Sequence, residues 1–521
     1  MLAPFRKVCI HDAMPTPHSS SKPEWPHAGR PCDPAMPEPL DPECDEMKTQ
    51  HDFLSPWRLA AGVALPLLLG LLLRLYALGQ LFLPIGDSLI YGDIARNLLR
   101  HGQYALTATN GEVYSTLIRL PGYPFLLAAC FRIFGMENYF FASCLQIALE
   151  LAGCLLLADF VRRVAPATLA LRAACIALWL SCLCPFTASY TATPLAETPT
   201  LFAIVLALWS MAVFRHKPSW VAALSFILAI TFAALLRPDG ALVAVALAPA
   251  ALLGLPRGLI QPARLARIAT VCALLALTPF ALWTARNWKT FKVFQPLAPH
   301  LANDPDEDPH LGWESWIKSW CLDFNCTYNV YWNVPGGDLA LGDLPRWAFD
   351  SPAQQAETAA LAADYNRTHE LTHAFDLRFA QLAAERATAH PWRTRLGLPL
   401  GRLGNMWFSP RTENLPLELD WWNSAAHPAE TRVAWALVAL NLLYLALGVA
   451  GLWLRPRFWP AMLAYILLRS LMLTTVQAPE TRYTLECFPM LFALGSVALA
   501  AFWNRWFSGR AAGGDSRSAA A

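Results

Sequence analysis

Charge is what this chain has least of. Asp, Glu, Lys and Arg together make up 15% of its 521 residues, against 55% hydrophobic residues and a mean hydropathy of +0.34. That is too little polar surface to cover a soluble globule of this length, so the soluble class is excluded and an integral membrane protein is expected. The 40 basic and 38 acidic side chains nearly cancel to a net +2, which leaves no one-signed field large enough for nucleic acid; no nucleic-acid partner is expected. No glycine-rich phosphate loop is visible, nor any internal repeat. Most of the 13 cysteines fall in apolar runs, where a thiol behaves as a small buried hydrophobe, and none is spaced with histidine as a zinc ligand would be. No cofactor is expected, and a divalent metal is not indicated. The exceptions are Cys321 and Cys326 in "CLDFNC", close together in a polar region where a local disulfide can form. Residues 1–56, rich in Pro, Ser and charge, lack both an apolar core and a signal-peptide apolar run, and read as a disordered cytoplasmic tail.

What the chain has in abundance is apolar segments of bilayer length. They fall at about 59–78, 138–160, 169–186, 194–214, 219–236, 239–254, 268–285, 431–454, 458–476 and 486–504, which predicts an all-α polytopic protein of about ten transmembrane helices. The segments at 169–186 and 239–254 are short, so one or two could be re-entrant. With the N-terminus inside, the inner connections "VRRVAPATLALR", "FRHKPSW", "LPRGLIQPARLAR", "LRPRF" and the tail 505–521 are all basic, whereas the short outer ones carry only Arg237 and Arg482. Helices 1–7 then occupy 57–285 and helices 8–10 occupy 431–504. Two large segments lie outside, 79–137 and 286–430, and any active surface is expected there. The second has an aromatic half that could anchor at the interface or stack on sugar rings, then a helical half over 352–389 ended by His390-Pro391. The arginine-bearing run "PWRTRLGLPLGRLGNMWF" is placed in the membrane interface.

The first outer loop opens with "GDSLIYGDIARNLLRHGQYAL". On a helix, Asp87, Tyr91, Ala95 and Leu98 or Leu99 share one side by three- and four-residue spacing, while Asp93 lies on another face, poised to pair with Arg96 and Asn97. Asp87 follows a glycine at the helix start. There it reads either as an N-cap or as a base at the mouth of a membrane cavity. In "STLIRLPGYPFLLAACFRIFG", Pro121, Gly122 and Pro124 force a bend before an interfacial helix, and Arg119 precedes it. Glu197 in "PLAETPTLF", Arg237 in "LLRPDG", and Glu480 with Arg482 in "QAPETRYTL" lie at the outer ends of apolar segments. The arginines are either snorkelling end residues or, with Arg119, a cradle for a lipid phosphate.

Taken in order, Asp87-x-x-x-Tyr91-x-x-x-Ala95 with "NLLRHGQY", "RLPGYPFLLA…FRIFG", "PLAET", "LLRPDG" and "ETRYTLECFP" resemble the GT-C glycosyltransferases of family 39 type, which include protein O-mannosyltransferases and the bacterial aminoarabinose transferase that modifies lipid A. The resemblance covers about residues 59–504. It implies the GT-C fold and a hexosyl- or pentosyltransferase. Such an enzyme takes a sugar from a polyprenyl-phosphate donor (undecaprenyl or dolichyl) to a protein, lipid or glycan acceptor at the outer face of the membrane; the Ala-, Arg- and Leu-rich composition points to a bacterium, and so to the periplasmic face of its inner membrane. Asp87 occupies the position of the family's catalytic acid. Many relatives have an Asp-Glu pair there; this chain has Asp87-Ser88, which leaves the second carboxylate's role to Glu197, Asp93 or no residue. Arg237 and Arg482 would bind the carrier phosphate, with Arg119 a third cation and Tyr483 a hydrogen-bond donor beside them; Tyr91 and Glu480 complete the expected site. The alternatives are a polyprenyl-linked polysaccharide ligase or polymerase, and a transporter of lipid-linked sugars. A transporter would show repeats and ionisable groups at mid-membrane, whereas these charges cluster at span ends.

Overall fold

The computed structural model describes residues 56–253, 255 and 258–514, with side chains over 62–253, 255 and 258–506. The expected tail at 1–55 and residues 515–521 lie outside the described residues. Of the two units into which the chain divides, Met1–Arg58 is therefore described only at its end, and Leu59–Ala521 carries the architecture.

In chain order the main elements are α1 Pro56–Leu81, α2 Asp87–His101, β1 Ala105–Thr107, β2 Val113–Ser115, α3 Gly122–Phe134, α4 Tyr139–Val164, α5 Ala170–Cys182, α6 Pro185–Tyr190, α7 Glu197–His216, α8 Trp220–Leu236, α9 Ala241–Leu252, α10 Pro262–Phe291, α11 Leu311–Lys318, α12 Pro352–Tyr365, α13 His373–Ala389, α14 Leu398–Phe408, α15 Pro428–Trp453, α16 Trp459–Leu473 and α17 Phe488–Gly514. Among the described residues the only sheet is the antiparallel hairpin β1–β2, in the register Ala105 to Ser115.

Each of the ten expected crossings is helical, and six are long and apolar enough to cross a bilayer: Gly62–Leu81, Tyr139–Val164, Glu197–His216, Pro262–Phe291, Pro428–Trp453 and Thr481–Trp506. The chain is a multi-pass, all-α membrane protein. The other four, α5, α8, α9 and α16, have 13, 17, 12 and 15 residues. They fall short of the roughly 20 residues that span the hydrocarbon core, and proline causes two of the breaks. Pro185 starts a new helix after α5, and Pro238 puts Arg237 into extended backbone (φ −145°, ψ 140°) between α8 and α9.

The two most enclosed spans are α7 and the run leading into α17, each 78% buried over its most apolar window, against 28% for α1 and 11% for α10. The first begins at Glu197 and the second at Thr481, between Glu480 and Arg482, so the expected site residues stand at the mouth of the bundle's centre. Gly451 on α15 is placed so that a Cβ would lie 2.1 Å from the Leu494 carbonyl oxygen on α17; only glycine lets these two backbones meet.

The 286–430 segment has its own core of Trp313, Trp316, Trp320, Leu361, Tyr365, Phe379 and Leu382. Its helical half is two helices, α12 and α13, and not one, because Asn366 caps α12 and the chain turns before Thr372 starts α13 by accepting from the Phe375 N–H. The second helix ends at Ala389, as His390-Pro391 requires. Trp313, Trp316 and Trp320 are core, which corrects the sugar-stacking expectation for these three, while Tyr328 and Trp332 of the same stretch are exposed.

Candidate functional site

The site residues come from five places in the chain, each positioned by a local break in helix. Asp87 is the first residue of α2. The cap position is taken by Gly86 and the Asp87 carboxylate pairs with Arg119, which corrects the capping alternative. Arg119 sits just before the bend at Pro121. The start of α3 then approaches the end of α8 so closely that a Cβ on Gly122 would lie 2.7 Å from the Leu235 backbone, which is why the bend needs glycine there. That contact brings the residue before the bend to the helix end that carries Arg237.

Asp87 Oδ1 accepts from Arg119 Nη2 at 2.6 Å and Oδ2 lies 3.7 Å from Arg482 Nη2. Burial alone would raise this carboxyl, but Arg119, Arg482 and Arg237 outweigh it and hold it below its ordinary value. Arg482 reaches Glu197 Oε1 at 3.3 Å and Glu480 Oε2 at 2.6 Å. Arg237 reaches the same Glu197 oxygen at 3.0 Å, Asp239 at 3.3 Å and Glu486 at 3.1 Å. The two arginines flank the Tyr483 ring, at 5.5 and 5.7 Å from its centroid. The Tyr483 hydroxyl donates to Glu480, so it is engaged and does not stand free beside the cations. Arg119 lies over Tyr91 at 5.9 Å, and Tyr91 packs edge-on against Tyr123 at 5.0 Å. Thus Asp87, Arg119, Tyr91, Glu197, Arg237, Glu480, Arg482 and Tyr483 all meet in one linked cluster.

Five participants were not anticipated as such. Asp239 and Glu486 neutralise Arg237 from behind and are themselves held by the buried Arg469, at 2.8 and 2.7 Å. Asp239 lies in "LLRPDG" and Glu486 in "ETRYTLECFP", and Arg469 is a charged residue in an apolar segment, a functional signal in its own right. Glu413 accepts from the Arg482 N–H at 3.0 Å and the Tyr190 hydroxyl at 3.2 Å, and also takes the Thr481 N–H. Arg411 donates to the Thr481 carbonyl at 2.6 Å and lies 4.8 Å over Phe488. Glu413 and Arg411 thereby fix the turn that aims Arg482.

Asp93 takes no part. It pairs with Arg96 and accepts from the Thr107 N–H at 2.6 Å and hydroxyl at 3.0 Å, which ties α2 to β1 and fills its acceptor capacity. On the face of α2 that leads from Asp87, Ala95 and Leu99 pack with Tyr123 and Leu127, while Leu98 belongs to a neighbouring cluster. Cys321 and Cys326 form a disulfide with Cα atoms 5.7 Å apart. Charge is not confined to span ends as expected: Arg74 on α1 pairs with Glu150 on α4 inside the bundle. Among the described residues no group of three or more His, Cys, Asp or Glu is arranged to hold a metal ion.

No protein-family model and no curated protein matches the sequence. Solved structures do resemble it. The archaeal oligosaccharyltransferase AglB from Archaeoglobus fulgidus, in complex with an inhibitory peptide and a dolichol-phosphate, matches at 13% identity and TM-score 0.45, over 87% of this chain and 51% of that one. ArnT from Cupriavidus metallidurans matches in its apo state at 16% identity and TM-score 0.37, over 84% and 76% of the two chains. The same protein bound to undecaprenyl phosphate matches at 14% identity and TM-score 0.37, over 85% and 78%. The chain thus spans about half the length of the first of these.

Proposed function

We propose that this chain is a membrane glycosyltransferase of GT-C type, which moves a hexose or pentose from a polyprenyl-phosphate donor to a protein, lipid or glycan acceptor. The observation that carries the reading is the carboxylate of Asp87, held between Arg119 and Arg482 at the mouth of the bundle with Arg237 linked to them through Glu197. Direct displacement at an anomeric carbon needs a base on one side and cations around a departing phosphate on the other, and this cluster supplies both. The basic inner connections support an orientation with the site on the outer face of a bacterial inner membrane.

In the proposed reaction the acceptor's nucleophilic atom attacks the anomeric carbon and the bond from that carbon to the phosphate oxygen breaks. The electron pair leaves on the polyprenyl phosphate, held by Arg237, Arg482 and Arg119, and the acceptor's proton passes to Asp87. In the structure Arg119 is paired with Asp87 and keeps that carboxyl weakly basic. A donor phosphate that draws Arg119 away therefore raises the basicity of Asp87 only when the donor is seated. Glu197, shared by Arg237 and Arg482, takes the place of the second carboxylate by setting the two cations apart. With the leaving phosphate already met by guanidinium groups, the reaction as proposed needs no metal; loss of turnover in EDTA restored by a divalent ion would refute that part.

The test is turnover of a polyprenyl-phosphate sugar by purified protein with a membrane extract as acceptor, read as release of polyprenyl phosphate. Wild type is expected to release it and Asp87→Asn is not. Normal release by the variant removes the base assignment. Protein that carries the lipid across vesicle membranes without consuming it is a transporter, and the enzyme reading falls.

A further inference from the structure

A second feature lies on the far side of the 480–483 turn from Asp87. There a cleft of about 320 Å³ opens within the 286–430 segment where it meets Thr481, floored by Arg411, Glu413 and Thr481 and walled by Trp347, Trp421 and Trp422. This volume sits at the small end of ligand sites.

Its walls are fixed in place. Trp347 is 53% exposed, yet its ring N–H donates to the Trp320 carbonyl at 3.2 Å and its own carbonyl is held by the buried Arg386 at 2.9 Å. Trp422 is 50% exposed and packs edge-on against Trp421, which packs the same way against Trp435 on α15. Between the disulfide-linked Cys321 and Cys326 lie Asp323, Phe324 and Asn325, and all three line the cleft. Tryptophan rings held in place while their faces stay exposed are aromatic platforms whose ordering cost is met in folding.

The floor is polar and incompletely satisfied. Arg411 and Thr481 are 5% and 4% exposed, and Arg411 Nη2 and the Thr481 hydroxyl have no hydrogen-bond partner. Buried polar atoms left in this way are costly unless a ligand or water meets them. The carboxylates of Glu413 and Asp323 beside them work against an anion, and the polar floor works against a lipid chain.

We infer that this cleft is a pyranose subsite that takes an uncharged sugar ring, its C–H face on the tryptophans and its hydroxyls on Arg411, Thr481 and Glu413. The inference deepens the transferase reading and rests on it for the ring's source, the sugar of the donor or a sugar of the acceptor; the binding chemistry rests on the cleft alone. Because Glu413 and Thr481 also fix Arg482, a ring bound here lies against the turn that carries a phosphate-binding cation.

The experiment is saturation-transfer NMR on the detergent-solubilised full chain with methyl hexosides, N-acetylhexosamines and hexuronic acids. At least one neutral class is expected to receive saturation, with at least a five-fold loss in Trp347→Ala/Trp422→Ala, whose melting curve should match wild type because both rings are half exposed, and full retention in Asp87→Asn. No transfer to any neutral pyranose, equal transfer to hexuronates, or transfer unchanged in the tryptophan variant overturns the inference. Prior saturation with a polyprenyl-phosphate sugar assigns the source: displacement marks a donor ring, persistence an acceptor ring. Transfer by protein that never turns over such a donor leaves the subsite standing and refutes the transferase reading.

Discussion

Two ionic regions of this protein use the same side chains to opposite ends. Inside the bundle, Arg74 is 0% and Glu150 8% exposed; one carboxylate meets one guanidinium, whose remaining donors go to the carbonyls of Gly70 and Cys182 at 2.8 and 2.7 Å. At the mouth, Asp87 is 32%, Arg119 20%, Arg237 18% and Arg482 13% exposed, and nearly every group has several partners. The inner pair is closed: it joins α1 to α4 and α5, and loss of either partner alone leaves a buried charge. The outer cluster shares its charges among several partners and is partly exposed, so an incoming phosphate can take one partner of an arginine while a displaced carboxylate such as Asp87 or Glu197 keeps a second arginine. Redundancy of partners at a partly exposed rim, rather than charge as such, marks the region suited to exchange ligands.

Mutation should separate the two. Asp87→Asn keeps the size of the side chain but cannot take a proton and turns one acceptor oxygen into a donor facing the arginines, so turnover is expected to fall about 10²–10⁴-fold with only a modest fall in melting temperature; a fall as large as that of a buried-pair variant would move Asp87 into the structural class. Arg74→Met should do the reverse. It strands Glu150 and costs about 3–5 kcal/mol of stability, read by thermal unfolding in detergent, and Arg74→Met/Glu150→Leu should recover most of it; if the double variant is no better than the single, the pair is not closed. Arg482→Ala is expected to lower turnover about 10²–10³-fold, as loss of one charge-stabilising group does, with partial recovery in Arg482→Lys.

Smaller effects sharpen the contrast within the first outer segment. Asp93→Asn loses charge-assisted bonds to Arg96 and Thr107, and should cost about 1 kcal/mol of stability at unchanged turnover. The pH profile gives the finest test. Arginines hold the Asp87 carboxyl below its ordinary 3.8, so the stability from these pairs is complete above pH 3.8 and is lost as pH falls through the lower folded value. The acid limb of kcat/KM, which reports free enzyme, should therefore lie below that of kcat, which reports the donor-bound state in which Arg119 has left Asp87. Coincident limbs would mean that Arg119 stays on Asp87 throughout.

Much of the fold was legible because membrane insertion writes itself into composition: ten apolar segments became helices, and the helices break at Pro238 and before Pro391 as read, whereas the break at Pro185 falls inside the segment read as a single crossing, 169–186. The site was legible where polar residues interrupt apolar runs, which singled out Asp87, Arg119, Glu197, Arg237, Glu480 and Arg482. It was not legible where the deciding fact is a partner distant in sequence. Asp239 and Glu486 looked like flanking residues until Arg469 was placed between them, and Glu413 carried no local signal because its donors are 68, 69 and 223 residues away.

The sequence by itself determined that the chain enters a membrane, where its helices fall, and which few charges stand at their ends, because hydropathy and helix breaking are local properties. Only the tertiary structure decided that Asp87 is an arginine-held carboxylate and not a cap, that Asp93 is consumed by β1, and that the tryptophans divide into a buried core and an exposed cleft wall. Those outcomes depend on which side chains are brought together across the fold, and charge pairing and desolvation act at distances of a few ångströms that no spacing along the chain specifies.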